Sequence, residues 1–410
     1  MWASILCKRK PLLLTSCSHP GVDVYACRCF SCSYYSVYPK RRLSGSCTGV
    51  AVFTLYYYYP RWKDSRIRAQ LPPDLETWRC PGRSHEAEER VWNVFSPILS
   101  RHGLTSWPWG RSDSSLKTPD GEYPRANGYN ELFDDRRSVK LVNLKIWLYW
   151  NPLNRAIRTR EGQDVVCRVI VVKGEGVNAL NSLRRISTGL NSLVSRNHAL
   201  PMLREFRFQD IVCGIFPMSG TSFSEIFGPN SHDRCQSSVG DILDLFALAF
   251  IHEKRVAHRD AFFHNYLVQW DPESLKHQHA RLTRPRLYLI DFETALCFPE
   301  DSSYEDCTCT GLPFGDIDDY ALPTPPGVAE GKPYNAFYLD FWQLCYHLAF
   351  LQTGIQELDE LLLGLVNMGT AAAALDLLSE RLGLIPPAQL HVQPKYREVV
   401  DGHAFYPTRP

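Results

Sequence analysis

The sequence lacks a dominant charge. It carries 45 Lys and Arg against 44 Asp and Glu, a net charge of +1. That balance removes the electrostatic case for a nucleic acid or an anionic membrane as partner. It also lacks any apolar run near the ~20 residues of a membrane-spanning helix. The longest candidate, Val50 to Tyr59, is stopped by Pro60. The first residues have no secretory apolar segment, since Pro11-Leu12-Leu13-Leu14 is too short. No internal repeat is visible. Cys27-x-Cys29-x-x-Cys32 has no second pair at zinc spacing, so no structural zinc is expected.

What is there has the proportions of a globular protein: 44% hydrophobic and 22% charged residues. A chain of 410 residues is long enough for one two-lobed domain with extensions. Seven of the 14 cysteines precede Pro81 and the others are scattered. Scattered cysteines suit small buried hydrophobes in a reducing compartment, and an intracellular protein is expected.

Residues 1–70 carry eleven Lys or Arg against Asp23 and Asp64, with much Cys, Ser and Tyr and no lasting period. They are expected to be disordered or an atypical basic extension. A second extension, 71–137, has one helical candidate, His85 to Leu99. Glu86, Glu88 and Glu89 lie near its start, and Val91, Val94, Phe95 and Leu99 give it one apolar stripe. Strand patterns follow at Ser138–Trp150 and Asp164–Lys173, with a hairpin turn expected at 160–163. Leu180, Leu183 and Ile186 mark a short helix, and Ile211–Phe216 a buried strand ended by Pro217. Beyond it the periods turn helical at Val239–His252, Phe337–Phe350, Ile355–Leu365 and Ala371–Leu384. They flank two short strands, Tyr266–Val268 and the run into Asp291, and a polar insertion at 272–285. The fold class expected is α+β.

Three spacings carry chemistry. His258-Arg259-Asp260 is followed after four residues by Asn265. An apolar strand, Leu287 to Ile290, runs into Asp291-Phe292-Glu293. Asp340-x-Trp342 comes about fifty residues later. The first is the spacing of the catalytic loop of protein kinases, where the Asp takes the proton of a hydroxyl and the Asn holds magnesium. With F-I-H-E-K-R-V-A-H-R-D-A-F (250–262), R-P-R-L-Y-L-I-D-F-E (284–293), G-K-P-Y-N-A-F-Y-L-D-F-W-Q-L (331–344) and N-H-A-L-P-M-L-R-E-F (197–206), the chain resembles a family of protein-kinase-like proteins abundant in mushroom-forming fungi.

The resemblance implies a two-lobed kinase-like fold. The β-rich N-lobe would span 138–218, the helical C-lobe 219–395, and a tail 396–410. It implies ATP and Mg²⁺ as cofactors and a protein Ser or Thr hydroxyl as acceptor. Asp260 would be the base, and Asn265 and Asp291 would hold the metal. Arg168 would stand in the phosphate-pairing lysine position. Arg259 and His258 would support the loop, and Asp340 would anchor it. Phe216, Pro217 and Met218 would form the connector beside the adenine.

Several positions depart from that pattern. No G-x-G-x-x-G precedes the Asp164 strand. Arg168 replaces a lysine, and its broad fork makes a different contact from an ammonium. No acid occurs from Gly176 to Arg204 to pair with it, and neither Glu175 nor Glu205 is well placed. Phe262 occupies the place of a catalytic-loop lysine. Glu293 occupies a glycine position, at a cost in backbone freedom. The late arginine that pairs with an A-P-E glutamate is missing. The sequence therefore supports two readings: an ATP-dependent phosphotransferase, and a weak or silent pseudokinase that binds nucleotide or a partner. Ser302, Ser303, Thr308 and Thr310 lie where an activation segment would be.

Overall fold

The computed structural model describes residues 15–19, 22–26, 58–79, 85–109, 115–121, 146–148, 151–220, 222, 246–269, 286–315, 320, 322–390 and 395–396. The chain divides into two units, Met1–Ile67 and Arg68–Pro410. The first, expected to be disordered or an atypical basic extension, has these elements among its described residues. Strands β1 (Thr15–His19) and β2 (Val22–Ala26) pair antiparallel, and helix α1 covers 58–68. Cys27, Cys29 and Cys32 lie outside the described residues.

The second unit is mixed α and β around a curled five-stranded antiparallel sheet. Its strands are β3 (Leu104–Ser106), β6 (Asn154–Thr159), β7 (Asp164–Val172), β8 (Arg204–Phe208) and β9 (Ile211–Pro217). They lie in the order β3-β6-β7-β9-β8. The edge strand β3 comes from the segment expected to be an extension. The strand expected over 138–150 is described only at β5 (Ile146–Leu148), which pairs with β4 (Ser115–Lys117) in a separate two-stranded sheet. The hairpin partner of β7 is instead β6, joined to it through the turn at 160–163. A shift in register between Val169 and Val171 kinks β7 just after Arg168, as a bulge does.

Before the sheet come α2 (Leu75–Arg79) and α3 (His85–Arg101). The apolar stripe of α3 packs on one face of the sheet. Phe95 meets Phe206 and Phe208 at 6.4 and 6.1 Å, and Trp78 of α2 sits edge-on to Trp92 and Phe95. Trp78, Trp92 and Phe95 are all fully buried. Between β7 and β8 runs α4 (Val177–Ile186), whose Leu180, Leu183 and Ile186 face the core as their spacing predicts. Gly176 enters α4 at φ 84°, and a Cβ there would meet Ile170 O at 2.0 Å. Only glycine fits that approach.

The rest is helical around short strands: α5 (Ala247–Glu253), β10 (Val256–Ala257), β11 (Tyr266–Gln269), β12 (Arg286–Leu289), β13 (Leu296–Cys297) and β14 (Thr308–Cys309). These are followed by α6 (Pro326–Ala329), β15 (Tyr334–Asn335), α7 (Ala336–Leu348), α8 (Gln356–Gly364) and α9 (Ala371–Leu384). Thr370 caps α9 and Asn335 caps α7, each accepting from backbone N–H groups of the first turn. The expected helix over 239–252 is described from Ala247, and the 272–285 insertion lies outside the described residues. One apolar core joins β7 and α4 to α5, α7, α8 and α9. No helix among the described residues is long and apolar enough to cross a membrane.

Candidate active site

Asp340 organises the loop that carries the H-R-D residues. It lies fully buried on α7, and its carboxylate accepts three hydrogen bonds. His258 N donates to Oδ2 at 2.7 Å, Arg259 N to Oδ1 at 2.5 Å, and His252 Nε2 lies 2.9 Å from Oδ2. Gln343, one turn on, accepts from Ala261 N at 2.8 Å and donates to Arg259 O at 3.0 Å. One helix thus holds the backbone of His258, Arg259 and Ala261 on both sides of Asp260. That clamp holds Arg259 at φ 66°, a left-handed conformation that a side chain with a Cβ adopts only when its surroundings impose it.

The loop brings Asp260 and Asn265 together. Asn265 Nδ2 donates to Asp260 Oδ2 and to Asp260 O, both at 2.8 Å. Asp260 Oδ1 is buried and has no hydrogen-bond partner. His264 Nε2 stands 3.6 Å from Asp260 Oδ2, a neighbour that the motif did not reveal. Phe262, in the lysine position, is turned into an aromatic cluster with Trp342, Tyr346 and Phe350.

Strand β12 delivers Asp291 to the same place. His258 Nε2 lies 2.7 Å from Ile290 O, and β12 pairs with β11 just beyond Asn265. Asp291 is itself left-handed, at φ 64° and ψ 58°. Glu293 follows in a 3₁₀ turn and is not among the left-handed residues. The expected cost of replacing glycine there does not arise, because the unusual φ falls on Asp291 instead. Asp260, Asp291, Glu293, Thr294, Arg79, Phe314, Tyr320 and Leu322 line one cleft of about 350 Å³.

Arg168 of β7 reaches two of the acids that line this cleft. Its Nη2 donates to Asp291 Oδ1 at 2.5 Å and to Glu293 Oε2 at 2.8 Å. The partner expected to be missing is therefore present, but it comes from the D-F-E segment rather than from α4. Glu175 instead accepts from Leu75 N, and Glu205 pairs with Arg184. Burial works against both charges, yet Asp291 and Glu293 hold the Arg168 guanidinium above its ordinary value. Burial likewise opposes ionised Asp291, and Arg168 nonetheless holds its carboxyl below the usual range.

The remaining expected residues are placed as follows. Arg259 points away from the cleft and donates to Gly311 O, Leu312 O and the Tyr334 hydroxyl. It braces the 308–315 segment rather than joining the reacting set. Phe216 and Met218 are buried, Met218 among Trp107, Leu116 and Ala156. Sequence reasoning missed Arg79, which donates to Glu293 Oε1 and lies 4.6 Å above the Phe314 ring. No motif pointed to it, because it lies 214 positions before its partner Glu293.

Asp260 and Asp291 line one cleft and Asn265 bonds to Asp260; such oxygen donors would suit Mg²⁺ where phosphate oxygens complete the shell. Among the described residues no group of three or more His, Cys, Asp or Glu is placed to hold a metal ion. The chain matches no family model and no curated protein.

Proposed function

We propose that the chain is a protein-kinase-like module, with a β-rich lobe and a helical lobe that hold a magnesium nucleotide between them. It passes the terminal phosphoryl group to a protein Ser or Thr hydroxyl. The observation that carries this reading is Asp260. One oxygen is fixed by Asn265 and the other is buried, unpartnered and in a cleft shared with Asp291. An acceptor hydroxyl would satisfy Oδ1 and give up its proton there. Asn265 and Asp291 would hold Mg²⁺, which would offset charge on the phosphates. Arg168 adds a fixed positive charge beside them, and fixed charge is what stabilises a phosphoryl transition state.

A second reading rests on one contact. Arg168 already occupies Asp291 Oδ1 at 2.5 Å, so the metal ligand is neutralised by the protein itself. A pseudokinase that binds nucleotide or a partner without turnover would keep that pair. Both readings meet in one experiment. Saturating Mg-ATP raises the melting temperature, by roughly 2.7 kcal/mol of stabilisation at 100 times Kd. Phosphate transfer to a protein acceptor then falls about a hundredfold or more in Asp260→Asn, the usual weight of a general base. No thermal shift removes both nucleotide readings. A shift with equal, background transfer from wild type and variant leaves the pseudokinase.

A further inference from the structure

Four charges alternate along one chain of ion pairs at the cleft: Arg79, Glu293, Arg168 and Asp291. The side chains of Glu293 and Arg168 are only 16% and 12% exposed. Glu293 divides its two oxygens, with Oε1 taking Arg79 and Oε2 taking Arg168. A carboxylate held at both oxygens by guanidinium groups has little rotational freedom. Arg168 reaches two acids among the described residues, Asp291 and Glu293. Of the two, Glu293 is also held by Arg79.

Arg79 is fixed in its turn. It ends α2, one residue after fully buried Trp78. Leu75 N, at the start of α2, donates to Glu175 at the β7–α4 junction. Arg68, ahead of it, pairs with Asp210 through both carboxylate oxygens at 2.6 and 2.8 Å. The segment 68–79 is thus tied at Arg68 and Leu75 to the connections beside the sheet, and its Arg79 lines the cleft.

We propose that Glu293 is the positioning carboxylate of Arg168, and that Arg79 acts through Glu293 as a second positioning residue. The segment ahead of the sheet thereby completes the site in place of an acid on α4. This inference rests on the phosphoryl-transfer reading.

Its test uses the full chain, with Glu293→Gln, Arg79→Ala, Arg79→Lys and the Arg79→Ala/Glu293→Gln double variant. Turnover with Mg-ATP is expected to fall about tenfold or more in each of Glu293→Gln and Arg79→Ala, with the fall in kcat exceeding any rise in KM. The double variant should fall no further than Glu293→Gln alone, since groups that act in series are not additive. Arg79→Lys should recover part of the loss. Additive losses in the double variant, or full activity in Arg79→Ala, would overturn the proposal.

A second readout needs no turnover. The guanidinium ¹⁵N–H signals of Arg168, assigned by their loss in Arg168→Lys, should be resolved in wild type and collapse in Arg79→Ala. An unchanged Arg168 signal in folded Arg79→Ala refutes the network whatever the activity. A collapsed signal in a protein that neither binds nor turns over Mg-ATP refutes the function and keeps the network.

Discussion

His347 shows how one side chain can set a pH response. Phe263 N donates to its Nδ1 at 3.0 Å, so the ring must be neutral at that nitrogen. Burial, helped by nearby His264, pushes its pKa down to about 3. The unfolded chain then binds more protons than the folded one between about pH 6.5 and 3, and stability drains away as pH falls through that window. At about pH 5 the loss from this group is about 2 kcal/mol relative to neutral pH. His347→Gln, which keeps an acceptor without titrating, should lose that much less between neutral pH and pH 5 in urea unfolding. Comparing the two proteins at each pH cancels Glu88, whose burial raises its carboxyl to about 7 and gives the opposite slope. Asp291 adds a further loss at lower pH, below the ordinary carboxylate value of 3.8, because Arg168 stabilises its ionised form.

At the scale of elements, α7 is the part on which the site depends. Its buried Asp340 and Gln343 hold the backbone of His258, Arg259 and Ala261. Asp340→Ala would strand two buried N–H groups and His252 together, and should cost about 3–5 kcal/mol in denaturant midpoint experiments. The same variant should lose phosphate transfer even where it remains folded. This support was legible in outline, since Asp340-x-Trp342 follows Asp291 at about fifty residues. The strand β6 was not legible. Asn154 to Thr159 is short, with charged Arg155 and Arg158 interrupting any clean alternation. Arg155 is nonetheless buried, bonded to Trp107 O and stacked over Trp109 at 5.1 Å. The hairpin turn at 160–163 was the available signal, because it requires a strand directly before it.

At the scale of the whole second unit, residues before the sheet matter as much as the motif residues behind it. Trp78, Trp92 and Phe95 form an aromatic group that ties α2 and α3 to the sheet. Trp78→Ala should cost about 3–5 kcal/mol, as large aromatic truncations do, and should weaken near-ultraviolet circular dichroism. It should also free Arg79, so transfer activity should fall further than stability alone explains. By itself, the sequence determined the elements with a clear period and the three spacings that mark Asp260, Asn265 and Asp291. Those are local quantities, set by side-chain repeat and by short loops of fixed length. Only tertiary structure decided the partner of Arg168, because an ion pair between distant segments leaves no period or spacing to read. Glu293 and Arg79 sit 125 and 89 positions from Arg168 in the chain, and folding alone brings the three charges into contact.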